Sequence, residues 1–108
     1  MLYNINTKSW DDSLLKLFSI PKKILHQVKN SMGNFGTLLN TNIPINAIAG
    51  DQQSALFGNG CLKPNSSKCT YGTGLFFLYN TGKKRIDSKN KLLTTLAIDN
   101  NGKPIYAI

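Results

Sequence analysis

The 108-residue chain has no glutamate, one arginine, one histidine, one tryptophan and two cysteines. Each scarcity excludes something. Arg85 is the lone guanidinium, the group suited to forked contacts with phosphates and guanine bases. A structural zinc needs about four soft ligands. Only His26 can join Cys61 and Cys69, and there is no C-x-x-C. Both cysteines are therefore expected as free thiols in a reducing compartment. No apolar run approaches the roughly 20 residues that span a bilayer. The opening MLYNINTKSWDDS lacks a basic stretch followed by an apolar one, so no secretory leader is expected. The expected location is cytoplasmic, with no membrane partner.

The charge is one-sided. Thirteen Lys+Arg face five aspartates, for a net charge of +8. A basic chain can bind nucleic acid, but real footprints are clustered. Here the lysines are scattered, with the largest knots at Lys22-Lys23 and Lys83-Lys84-Arg85. The Lys, Asn and Ile excess is also what an AT-rich coding sequence produces. No nucleic-acid partner is expected. The length fits one small domain or a piece of a larger one.

Along the chain, Ser9 to Phe18 reads as an amphipathic helix capped by Ser9, with Trp10 on its packed face and Asp11 and Asp12 in its first turn. Pro21 to Lys29 reads as a second helix with Pro21 at its first position and His26 exposed or half-buried on it. Residues 30–42 read as loop, with a short strand at Thr37 to Leu39. Ile45 to Ala49 reads as a buried strand ended by Gly50. Asp51 opens a helix that packs Ala55, Leu56 and Phe57 inward and stops at Gly58 and Gly60.

The second half changes character. A polar turn, KPNSSK, precedes a strand at Cys69-Thr70-Tyr71. The turn Gly72-Thr73-Gly74 leads to a second strand, Leu75 to Tyr79, closed by Asn80-Thr81-Gly82. After the charged loop KKRIDSKNK, a strand at Leu92 to Ile98, the turn DNNGK and a return strand from Pro104 complete a run of antiparallel strands. The return strand breaks off at Ile108. It is expected to leave an unpaired apolar edge, which points to a fragment.

Two places could carry chemistry. Asp51 follows a buried strand and begins a helix, and ligands of α/β sheets gather at the carboxyl ends of strands. It is either a helix cap or a general base with an oxygen free for a substrate hydroxyl. Gly72-Thr73-Gly74 is either a plain hairpin turn or a turn whose backbone N–H groups and Thr73 hydroxyl face a phosphate.

The ordered motifs Ala49-Gly50-Asp51-Gln52-Gln53-Ser54-Ala55-Leu56-Phe57-Gly58, Thr70-Tyr71-Gly72-Thr73-Gly74, Phe76, Asn80-Thr81-Gly82 and Leu92-Leu93-Thr94-Thr95 resemble the glycerol kinases of the FGGY carbohydrate kinase family. The opening, MLYNINTKSWDDSLLKLFSIPKKIL, resembles the stretch of that family leading to the same site, so the likeness runs from end to end. It implies an α/β fold, a fragment of a two-domain actin-like ATPase (ribonuclease H-like) spanning the junction between the domains. Residues 1 to 60 look like the last part of the N-terminal domain. Residues 61 to 108 look like the start of the C-terminal domain, with the active site in the cleft between them.

What the resemblance implies about activity is specific. Family members phosphorylate glycerol to sn-glycerol 3-phosphate with ATP and Mg²⁺. Asp51 matches the general base, and Gln52 matches a glycerol contact. Thr73 matches a nucleotide phosphate contact shaped by Gly72 and Gly74. Phe76 matches an aromatic against the glycerol carbons. The family's first phosphate loop, its upstream Arg-Glu, Trp and Tyr glycerol contacts and its downstream adenosine segment find no match here. Trp10 matches a different stretch. The resemblance thus implies that these residues alone do not turn over ATP, and that the full-length enzyme is a homo-oligomer. A related polyol or sugar kinase and a non-catalytic remnant are the alternatives.

Overall fold

A computed structural model describes residues 2–108. Two short strands, β1 (Tyr3–Asn4) and β2 (Ser9–Trp10), pair antiparallel before helix α1 (Asp12–Leu17). Trp10 therefore lies on a strand and not on a helix. Its ring meets Tyr3 edge-on at 5.6 Å between centroids, and its Nε1 donates to the His26 carbonyl at 3.2 Å. The cap of α1 is Asp11, not Ser9. The Asp11 carboxylate accepts from the backbone N–H groups of Ser13 and Leu14 at 3.1 Å each. The Ser13 hydroxyl, which also donates to it, does most to hold its carboxyl below the usual carboxylate range, followed by the Leu14 N–H and the Asn4 amide.

The second helix shrinks to one 3₁₀ turn, Lys22–Ile24, with Pro21 as its cap residue. His26 is exposed outside any helix. An isolated 3₁₀ turn is what remains when a short stretch has no tertiary face to pack on. Residues 31–48 form an irregular antiparallel ribbon, bridged at Met32 with Ala47 and at Thr37 with Pro44. Neither the strand at Thr37 to Leu39 nor the buried strand at Ile45 to Ala49 forms. Ile43 and Ile48 are exposed, and only Ile45 in that run is half-buried. An apolar run becomes a buried strand only when neighbours pair and cover it, and the described residues supply a single ribbon partner.

Helix α2 (Asp51–Gly58) carries Leu56 inward, with Ala55 and Phe57 half-buried beside it. It packs on a four-stranded antiparallel sheet of order β3-β4-β6-β5. The strands are β3 (Ser67–Tyr71), β4 (Leu75–Gly82), β5 (Thr95–Ile98) and β6 (Pro104–Ala107). The strand after KPNSSK starts inside that segment, so Lys68 belongs to β3 and not to a turn. Asn80-Thr81-Gly82 extends β4 instead of closing it. The last strand is not an edge. β6 pairs with β4 on one side and β5 on the other, and Ala107 is fully buried. The edges are β3 and β5. Leu56, Cys61, Leu78, Ala97, Ile105 and Ala107 form the core where α2 meets the sheet.

A buried amide locks the bend in this sheet. Asn80 Nδ2 donates to the Cys61 carbonyl at 2.8 Å, and its Oδ1 accepts from Gly82 N at 2.8 Å. The β4–β6 register shifts between Asn80 and Gly82. Gly82 has φ +68°, and a Cβ there would meet Pro64 at 2.8 Å. Bulges of this kind favour glycine in the left-handed region.

Candidate active site

Asp51 is the first residue of α2, and Gly50 is its cap residue in an extended conformation. Gly50 makes no side-chain cap, so Asp51 is a first-turn acid that the helix dipole favours. Both Asp51 oxygens meet Gln52. The Gln52 backbone N–H donates to Oδ1 at 2.8 Å, and Gln52 Nε2 reaches Oδ2 at 3.5 Å, the outer limit of a hydrogen bond. The carboxylate is otherwise exposed to solvent. A carboxylate has about four acceptor positions, so this one keeps capacity for an incoming hydroxyl.

Two glutamines anchor the helix start to the sheet. Gln53 Nε2 donates to Thr95 Oγ1 on β5 at 3.2 Å. Its side chain folds over Gly50, where a Cβ would lie 2.6 Å from Gln53 Oε1. Gln52 Oε1 accepts from the Lys68 ammonium on β3, and the same ammonium donates to Thr70 Oγ1 at 2.7 Å. Lys68 is buried. The composition of KPNSSK signals a turn and hides its part. The usable signal is the two-residue period that puts Lys68 and Thr70 on one face of β3.

The β3–β4 register brings the other site residues to the same face. Lys68 opposes Leu78 and Thr70 opposes Phe76, and directly opposed residues project to the same side of a sheet. Leu78 on that face joins Leu56 of α2 in the core. Phe76 therefore stands on the α2 side, half open to solvent. Tyr71 opposes Leu75, so Gly72-Thr73-Gly74 is a three-residue hairpin turn closed by Gly72 N donating to Gly74 O at 3.1 Å. Thr73 is exposed at its tip. The Phe76 ring lies over Gly74, where a Cβ would come within 2.9 Å of Cε2. Around Gly72 a Cβ would meet nothing within 4 Å.

Lys68, Thr70 and Phe76 thus share one face of the β3–β4 hairpin, and Gln52, the residue after Asp51, reaches that face through Lys68. A separate open cleft of about 870 Å³, lined among others by Met32, Phe35, Gln53 and Ile98, lies against the irregular ribbon and includes neither Asp51 nor the turn. Cys61 and Cys69 are both free. No helix among the described residues is long and apolar enough to cross a membrane.

Residues 1–58 match the N-terminal domain of the FGGY family of carbohydrate kinases. The chain belongs to that family. Glycerol kinase of Fusobacterium nucleatum is 50% identical over 113 residues, which cover all of this chain and 23% of that protein. Glycerol kinase of Methylobacterium nodulans is 47% identical over 112 residues, again all of this chain and 22% of the relative. The crystal structure of Plasmodium falciparum glycerol kinase with ADP superimposes with a TM-score of 0.87 at 40% identity. That match covers 98% of this chain and 23% of the solved one. The fold is therefore the corresponding part of the FGGY kinase architecture, an actin-like ATPase. The chain spans less than a quarter of the length of the curated relatives it matches.

Proposed function

We propose that these residues form a central segment of a full-length FGGY kinase that transfers the terminal phosphoryl group of ATP to glycerol, giving sn-glycerol 3-phosphate. Residues 1–60 are the last part of its N-terminal domain, and 61–108 begin its C-terminal domain. The observation that carries the reading is the exposed Asp51 carboxylate at the start of α2, hydrogen-bonded by Gln52, whose amide is joined through Lys68 to the strand that leads into the Gly72-Thr73-Gly74 turn.

The roles are those that the family resemblance implies, and the chemistry of the residues suits them. Asp51 takes the proton of the attacking glycerol hydroxyl as its oxygen bonds to the terminal phosphorus of ATP and the bond from that phosphorus to ADP breaks, with ADP leaving. Gln52 holds the hydroxyl alongside, and Phe76 covers the carbon skeleton. The turn amides and the Thr73 hydroxyl bind nucleotide phosphate, and the open space around Gly72 leaves room for it. Phosphoryl transfer needs mainly positioning and charge stabilisation, so one well-placed carboxylate suffices as base. Among the described residues no three His, Cys, Asp or Glu side chains gather as a metal cage. Mg²⁺ is commonly held by one or two carboxylates and by the nucleotide itself. Asp51 is the carboxylate of the proposed site that would face it. When bound, the ion offsets phosphate charge.

The full-length enzyme is proposed as a cytoplasmic homo-oligomer whose partners are glycerol and ATP, with no nucleic acid or membrane. The test is ADP release by the full-length chain containing this segment, with Mg-ATP, in the presence and absence of glycerol. Glycerol-dependent release is the expected result. Release that depends on another polyol or a sugar, and not on glycerol, transfers the reading to a related kinase. No acceptor-dependent release removes it.

A further inference from the structure

Lys68 is a cation without an acid. Only 6% of it is exposed. Among the described residues the ion pairs are Lys22 with Asp12 and Arg85 with Asp87, and Lys68 is in neither. A buried charge is tolerated only when hydrogen bonds replace water. Its two partners are neutral oxygens, Gln52 Oε1 on α2 and Thr70 Oγ1 on β3. An ammonium only donates, so the Gln52 amide must turn its oxygen toward Lys68. The amide NH₂ then points the other way, toward Asp51 Oδ2. Flipping the amide would set NH₂ against NH₃⁺ and the amide oxygen against the carboxylate, two repulsions in place of two attractions.

We propose that Lys68 is a positioning residue for Asp51, acting through the Gln52 amide. It also ties the helix that bears the base to the strand that leads into the Gly72-Thr73-Gly74 turn. The inference rests on the kinase reading above, since it assigns Lys68 a task in that reaction.

The test is a double-mutant cycle in the full-length chain, with kcat and the KM values for glycerol and ATP measured for Lys68→Met, Gln52→Leu and the pair. A base displaced by an ångström or so costs up to about 100-fold. Lys68→Met is expected to lower kcat by about 10- to 100-fold while ATP KM stays within about threefold. Because Lys68 acts through Gln52, the pair loses no more than the worse single variant. A merely structural lysine gives losses that multiply, and that result overturns the proposal. So does a Lys68→Met kcat within about twofold of wild type. If Lys68→Met does not fold, Thr70→Val keeps the ammonium but removes one of its anchors. It is expected to lower kcat by about threefold or more, non-additively with Gln52→Leu, and an unchanged kcat overturns the proposal. A wild-type chain without glycerol-dependent ADP release defeats the kinase reading and this inference together. An active wild type with unaffected variants defeats this inference alone.

Discussion

Asp51 is the residue on which the proposed chemistry turns, and its surroundings make its replacement informative. In Asp51→Asn the amide keeps the shape of the side chain but cannot take a proton. Removing a general base typically costs about 10²- to 10⁴-fold in rate. We expect kcat of the full-length chain to fall by that order while glycerol KM changes little. Loss of glycerol binding with kcat intact would contradict the assignment. Asp11 offers a contrast, because its task is local structure. Its folded-state value lies below the ordinary carboxylate range. Its contribution is therefore present above that range and is lost as pH falls through the lower folded value. Asp11→Ala should speed amide hydrogen exchange across α1 at pH 7, with little effect on turnover. The difference from wild type should shrink as pH drops through the carboxylate range. Equal differences at pH 7 and at low pH would rule out the charged cap.

The β3–β4 hairpin and the bulge of β4 make separate predictions at the scale of elements. A Cβ at Gly72 enters open space, whereas one at Gly74 strikes the Phe76 ring tip, which can swing aside. Gly72→Ala should leave the thermal midpoint unchanged and raise ATP KM. Gly74→Ala should raise glycerol KM instead, because the displaced ring is the proposed cover of the substrate. Steady-state kinetics with each substrate varied separates the two, and identical effects of both changes would remove the division of labour. Asn80 satisfies two buried backbone groups at once. Leaving a buried group unpaired costs about 1–3 kcal/mol, so Asn80→Ala should destabilise by about 2–4 kcal/mol in denaturant unfolding. The elements differ in how legible they were. α2, the hairpin and the β5–β6 turn were readable because their signals are local: an acid at a helix start, glycines between apolar runs, and Asp99 accepting from the Asn101 and Lys103 amides at 2.8 and 2.9 Å. The run Ile45 to Ala49 was misread because its composition is that of a covered strand, and burial depends on neighbours the run does not encode. Trp10 was misread because the apolar spacing of Trp10 to Phe18 also fits a strand residue followed by a shorter helix.

At the scale of the molecule the surface is too large for the chain. The accessible area is 8223 Å², against about 5,900 Å² for a compact monomer of this mass. The radius of gyration is 15.7 Å, where about 13 Å is usual for this length. Leu39, Tyr71 and Leu93 are each more than four-fifths exposed. This surface is what a segment of a larger architecture presents when taken alone. The isolated 108 residues should bind a hydrophobic dye, melt broadly at low temperature, and release no glycerol-dependent ADP. A sharp two-state transition without dye binding would show that the segment completes a core by itself.

The sequence by itself determined the family and supplied the candidate site residues. Both rest on ordered local motifs, GDQQ and YGTG, which are written in adjacent residues. It also determined the antiparallel run of the second half, because hairpin turns are written in a few adjacent residues. Only the tertiary structure decided that β6 lies between β4 and β5, that Lys68 is buried on the Gln52 amide, and that Phe76 shares the sheet face on which α2 packs. Those facts are contacts between residues far apart in the chain. Strand order, register and burial are set by which surfaces meet, and no single stretch of the chain carries that information.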